Sequence, residues 1–145
     1  MFKTILLPTD GSPLSEKATE TAIRFAQLNG AKIVGISVLQ PFPLSSFGDG
    51  GVIFDANVLE QQMHEAAQHN VDKVGAAAKA AGIQFEGVVT ESVSPYEAIV
   101  ATAAKYQCDI ILMASHGRTG LNKLFLGSET QKVLAHTNLP VMVLR

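Results

Sequence analysis

Three groupings in the chain carry residue types that chemistry requires. "MASHG", Met113 to Gly117, sets a serine hydroxyl beside an imidazole, the pair that acyl transfer uses as nucleophile and base. "HEAAQH", His64 to His69, holds two imidazoles and a carboxylate, the donor types of a zinc centre. "ASHGRTGLNKLFLGS", Ala114 to Ser128, spreads Gly117, Gly120 and Gly127 over eleven residues and ends in serine. Backbone kept free of side chains, with a hydroxyl at its end, suits close approach by an anionic ligand.

The first two groupings fail on spacing. A nucleophile elbow of the form GxSxG needs glycine where Met113 stands. Adjacent side chains also seldom face one another, which makes His116 a poor base for Ser115. His64 and His69 are five apart and project about 140° from each other on a helix, too far to share a metal. Both read as surface histidines. "GDGGVI", Gly48 to Ile53, lacks the last glycine of GxGxxG, and no GK[ST] occurs, so neither a dinucleotide fingerprint nor a Walker A loop is present.

The third grouping survives. Gly127-Ser128 precedes a segment of helical period, where free backbone N–H groups and the helix dipole attract anions. Ser128 with Gln131 also reads as a capping box. Ala114 and Gly117 lie directly off a predicted strand, and small side chains there admit a ligand close to the backbone. Asp10, in "LPTDGS", is placed either to turn the chain before Gly11 or to meet a ribose or a divalent cation.

The elements that must position these residues are legible as alternating periods. Strands are predicted over Phe2 to Pro8, Ala31 to Leu39, Ile83 to Val89, Asp109 to Ala114 and Pro140 to Arg145, several of them apolar on both faces. The first helix takes Ser12 as N-cap and Pro13 at its first position, buries Leu14, Ala18, Ala22 and Phe25, and stops at Asn29-Gly30. A second runs from Asp55 to Ala81. A third opens on "SPYE" with Ser94 and Glu97 as a capping box. The last opens on "SETQ" and places Thr130, Val133, Leu134 and Thr137 on one face. The order β-α-β-α-β-α-β-α-β predicts an α/β fold: one domain with a doubly wound five-stranded parallel sheet and helices on both faces. Two connections, Gln40 to Val52 and Ser115 to Gly127, are long and follow strand C-termini, the edge where open α/β sheets hold ligands.

Bulk properties exclude other classes. With 145 residues, 47% hydrophobic and 17% charged, the chain suits a single packed domain. A net charge of −2 gives no nucleic-acid surface. No apolar run approaches a membrane span or a signal-peptide core. A lone cysteine, Cys108, leaves no intramolecular disulfide, and the expectation is a cytoplasmic protein.

Over nearly its whole length, as one domain spanning 1–145, the chain resembles the universal stress protein family. The resemblance rests on "ILLPTDGSPLSEKA", "ISVLQP" and "DIILMASHGRTGLNKLFLGSETQKVLAHTNLPVMVLR". Nucleotide-binding members carry glycine, two residues, glycine, nine residues, glycine, then serine or threonine. The matching positions are Ala114, Gly117, Gly127 and Ser128, so spacing is kept and the first glycine is alanine. The resemblance implies a site for ATP with Mg²⁺ above the ends of the first, second and fourth strands. Pro8, Thr9 and Asp10 would border the adenosine, with Asp10 near the ribose or metal, and Val38 would meet the adenine. Met113 and Ala114 would line base and ribose. His116, Gly117 and Arg118 would flank the phosphates opposite Gly127, Ser128, Glu129 and Thr130. Glu129 would need to turn outward or meet a cation, with Arg118 and Lys123 as offsetting charges. The resemblance further implies a homodimer paired through Val141–Arg145 and a stress-response role exerted through a regulatory protein partner. No residue is placed as a catalytic base, with His116 and Glu129 the only candidates, so any hydrolysis is expected to be slow. The alternative within the family is a nucleotide-free dimeric interaction module, marked by Ala114.

Overall fold

The computed structural model describes residues 1–41, 55–118 and 125–145. The "GDGGVI" stretch, Gly120 and Lys123 lie outside the described residues. The order within them is β1 (Thr4–Pro8), α1 (Pro13–Asn29), β2 (Lys32–Leu39), α2 (Ala56–Ala80), β3 (Phe85–Glu91), α3 (Pro95–Lys105), β4 (Ile110–Ala114), α4 (Ser128–His136) and β5 (Val141–Leu144). All pairings are parallel, in the order β3-β2-β1-β4-β5. The predicted doubly wound sheet is the one observed. Winding reverses at β1, so the crevice between β1 and β4 is the topological switch point.

Strand alternation divides the core in two. Ile5 and Leu7 of β1 point to the face covered by α1 and α2, packing with Ala18, Ala22, Ala26 and Val74. Leu6 points to the other face, beside Val34, Ile36 and Ile111 and under Ile99 and Ala103 of α3 and Val133 of α4. Among the described residues no helix is long and apolar enough to cross a membrane. Cys108 belongs to the second cluster; burial and the neighbouring Asp109 charge push its thiol up to about 11, which leaves it an unreactive packing residue.

Local competition for backbone donors shifts several predicted boundaries. β1 starts at Thr4 rather than Phe2 because the Asp109 carboxylate takes the Lys3 N–H at 2.8 Å. β3 starts at Phe85 rather than Ile83, since the Ile83 N–H closes the end of α2 on Ala78 O at 2.9 Å after Gly82 turns with φ 72°. α1 buries Ser15, Ala18, Ala22 and Ala26, a stripe one position round from the predicted one. Phe25 is only partly buried and packs its ring 5.6 Å from that of Phe2. Neither predicted capping box forms. Ser94 makes no side-chain cap bond, and Gly127, not Ser128, is the N-cap of α4. Leu134 is 43% exposed, so the buried face of α4 rests on Thr130 and Val133.

The seat of α2 against the sheet depends on one ring. Phe85 fills the space above two glycines: a Cβ on Gly35 would sit 2.8 Å from one edge of it, and a Cβ on Gly75 would sit 2.8 Å from another. Gly75 lies in mid-helix, where alanine ordinarily stabilises by about 1 kcal/mol. Here the added methyl must displace Phe85, and overpacking costs about 1–3 kcal/mol. Gly75→Ala is therefore expected to lower stability in a urea melt, and Gly75→Ala combined with Phe85→Leu to restore part of the loss. A stabilised Gly75→Ala single variant would show that α2 does not bear on the ring.

Candidate functional site

At the C-terminal ends of β1, β2 and β4 lies a cavity of about 470 Å³, within the size range of small-molecule sites. The structure brings all thirteen sequence-predicted residues to its wall: Pro8, Thr9 and Asp10 after β1, Val38 at the end of β2, Met113, Ala114, His116, Gly117 and Arg118 after β4, and Gly127, Ser128, Glu129 and Thr130 at the start of α4. Five liners were missed: Ser15, Ile36, Gln40, Pro95 and Ile99. Periodicity could have found one of them: Ile36 shares the strand face of Val38.

Two chain reversals meet at Asp10. Its Oδ1 accepts the Ser12 N–H at 2.9 Å, and its Oδ2 accepts the Arg118 N–H at 3.0 Å. The carboxylate thus joins the β1–α1 turn to the loop leaving β4. Burial pushes the Asp10 carboxyl up, but hydrogen bonds from Ser12, the Arg118 backbone and Ser15 prevail and hold it below its ordinary value near 3.8. Gly117 is small because of this contact: a Cβ there would collide with Asp10 Oδ2. Its φ is not positive, so space and not backbone conformation demands glycine.

The second wall is fastened to the same loop. Gly127 N–H donates to Ser115 O at 2.7 Å, and a Cβ on Gly127 would lie 3.1 Å from both Ser115 O and His116 Cα. The buried Thr130 hydroxyl lies 3.1 Å from both Ala114 O and Ser115 O. Sequence reasoning attributed the small residues to close approach by a ligand. At Gly117 the Asp10 carboxylate already occupies the space, and at Gly127 a Cβ would fit tightly against the backbone of Ser115 and His116.

α4 begins with its donors facing the cavity rim. Gln131 N–H closes the first turn on Gly127 O at 3.0 Å, so the N–H groups of Ser128, Glu129 and Thr130 precede the first intrahelical bond. Ser128 is exposed at the first helical position. Glu129 turns outward: Oε2 accepts the Tyr96 N–H at 2.9 Å, capping α3, and Oε1 meets Lys132 Nζ at 3.1 Å. Lys132 thus supplies an offsetting charge; Lys123, one of the two residues expected in that role, lies outside the described residues.

Ser115 and His116 correct one expectation. Although adjacent, they do face one another, with Ser115 Oγ 3.1 Å from His116 Nδ1. Ser115 is 3% exposed and does not line the cavity. The hydroxyl is spent on positioning the imidazole, and a nucleophilic role finds no access.

Comparison with known proteins agrees with this architecture. The model of the universal stress protein family matches residues 1–145. A universal stress protein of Thermus aquaticus is 34% identical, over 100% of both chains. The solved structure of protein MJ0577, a universal stress protein of Methanocaldococcus jannaschii, superposes with a TM-score of 0.83 at 29% identity, covering 99% of this chain and 96% of that one. A universal stress protein of Archaeoglobus fulgidus, solved in complex with dAMP, shares the fold with a TM-score of 0.67 at 17% identity, over 100% of this chain and 98% of that one.

The Asp10 bridge sets a pH dependence. A carboxyl held below its unfolded value contributes stability that is complete above that value, near 3.8, and is lost as pH falls through the lower folded value. Between pH 5 and pH 2 the parent protein should lose stability more steeply than Asp10→Asn, measured by urea melts at each pH. Parallel losses in the two proteins would remove Asp10 from the bridge.

Proposed function

The chain belongs to the universal stress protein family, and on that premise we propose that its cavity binds ATP with Mg²⁺, as a cytoplasmic stress-response regulator acting through a protein partner. The observation that carries the reading is the convergence on one cavity of an apolar end and an anion-binding end. Ile36, Val38, Ile99 and Met113 supply apolar surface for a base. Across the cavity, the N–H groups and positive dipole end of α4 suit phosphates. Asp10 lies between them, and its remaining lone pairs suit a ribose hydroxyl. The Archaeoglobus fulgidus universal stress protein of the same fold was solved in complex with dAMP.

The donor set fits Mg²⁺ in a limited way. Among the described residues, Asp10 and Glu129 are the carboxylates lining the cavity, and Glu129 is committed to Tyr96 and Lys132. Mg²⁺ keeps most of its waters and takes one or two carboxylates plus phosphate oxygens. Asp10 would be its one protein ligand. When bound, the ion would neutralise phosphate charge, while His116 and Arg118 line the same side of the cavity.

Ala114 replaces the glycine of the family pattern, and the cavity keeps about 470 Å³ with that methyl in place. The site therefore supports nucleotide over the empty interaction module. β5 stands at the sheet edge, its described pairing being with β4 only, and Val141 to Leu144 are half-buried. An apolar strand with unpaired backbone groups suits pairing with its own copy, and a homodimer through Val141–Arg145 is part of the proposal.

Nucleotide released from the denatured protein, together with calorimetric titration by Mg·ATP, tests the reading. Binding below millimolar is expected. Ala114→Val should weaken it tenfold or more, and Ala114→Gly should leave it equal or tighter. Absence of both released nucleotide and submillimolar binding would favour the interaction module. Full affinity in Ala114→Val would take the ribose away from β4. A monomer mass by light scattering at micromolar concentration would overturn the dimer.

A further inference from the structure

Away from the cavity, a second group of polar side chains converges where α2 meets the end of β3. Glu60 and His64 stand one turn apart on α2, and Glu91 is the last residue of β3. One ligand atom from each, two carboxylate oxygens and an imidazole nitrogen, lies within 4.8 Å of the others. Among the described residues it is the one such three-residue group formed.

We propose that Glu60, His64 and Glu91 form a site for a zinc ion. Spacing of four on a helix puts the first two donors on one face, the arrangement that the five-residue separation of His64 from His69 could not provide. The third donor comes from a different element, held in place by tight packing. Gly87 of β3 lies so close to α2 that a Cβ would collide with Val71, and Phe85 is wedged against Gly75. The end of β3 is further held by its ladder with β2, Glu91 opposite Leu39, and by the Ser92 N–H donating to Leu39 O at 2.8 Å. The fold thus holds together the two elements that carry the ligands.

The donor chemistry selects the metal. Two carboxylates and a neutral imidazole carry two negative charges, matching Zn²⁺. A nitrogen ligand favours zinc over Mg²⁺ and Ca²⁺, which prefer all-oxygen shells. Three protein ligands leave a fourth position for water or an exogenous ligand. All three side chains are exposed, so the ion enters directly from solvent and exchanges with it. Bound zinc would tie the opening turns of α2 to the C-terminal edge of the sheet.

The test is calorimetric titration of the full chain, stripped of nucleotide and metal, with zinc chloride in a non-coordinating buffer. One ion per chain is expected. His64→Ala and Glu91→Gln should each weaken binding tenfold or more, while His69→Ala, one and a half turns on, leaves it unchanged. Magnesium chloride should give no comparable binding at these residues. Zinc should also slow amide exchange in the first turns of α2 in the parent and not in Glu91→Gln. Equal zinc affinity in the parent and His64→Ala overturns the site. Dependence on His64 without dependence on Glu91 overturns its three-ligand form, as does an equal loss in His69→Ala.

Discussion

The carboxylate of Asp10 is the interaction on which the upper edge of the sheet depends. Two loops emerge there from adjacent parallel strands, one from β1 and one from β4. Parallel strands give such loops no ladder bonds with each other, so each would be free to move on its own. Asp10 joins them by accepting from Ser12 in one and Arg118 in the other. Hydrogen bonds to a charged acceptor are stronger than neutral ones, and partial burial limits their screening. Once the β4 loop is fixed at Gly117 and Arg118, Ser115 O is placed to receive the N–H of Gly127. α4 then docks by Thr130 on the same carbonyl. A single side chain orders the strand-end loop, and the loop orders the helix whose N-terminus faces the cavity.

This succession gives the glycines a different meaning from the one their spacing suggested. Gly117 makes room for Asp10, and Gly127 makes room for the backbone at Ser115 and His116. Both are requirements of a wall that must close on itself before a ligand is present. Ala114 stands outside both contacts: its carbonyl, not its side chain, meets Thr130. That difference explains how alanine is compatible with the fold at this position, while Gly117 is held small by collision and Gly127 by a tight fit. The one departure from the family pattern packs its methyl against the core cluster of Ile5, Leu7 and Leu112.

Much of the fold was legible because it rests on periodic burial. Five apolar runs separated by helical stretches determine a parallel sheet almost without regard to detail, and Pro13 after Ser12 marks a helix start that is observed with its cap bond, Ser15 N–H to Ser12 Oγ. The failures were contests between local partners and distant ones. "SPYE" and "SETQ" both satisfy the capping-box pattern, yet Glu129 reaches thirty-three residues back in the chain to cap α3 at Tyr96. Gln131 turns its amide to Leu126 O. Likewise Asp109 takes the Lys3 N–H from the other end of the chain. Sequence patterns describe what a residue can do with its neighbours, and say nothing of a better partner supplied by packing. The Glu60, His64 and Glu91 group is of the same kind: half of it is a helical spacing, and the other half depends on how α2 lies on β3.

The same distant partners bear on whether the cavity holds its ligand or transforms it. In-line attack on a terminal phosphate requires a base or an orienting group for water, and His116 and Glu129 are the candidates by type. Glu129 already accepts from Tyr96 and Lys132, and turning it inward would uncap α3. His116 is engaged through Nδ1 with the buried hydroxyl of Ser115. In both residues a hydrogen bond within the protein fixes the side chain. In the ATP site proposed above, the bonds that give the cavity its shape thus already engage both side chains that could serve as a base.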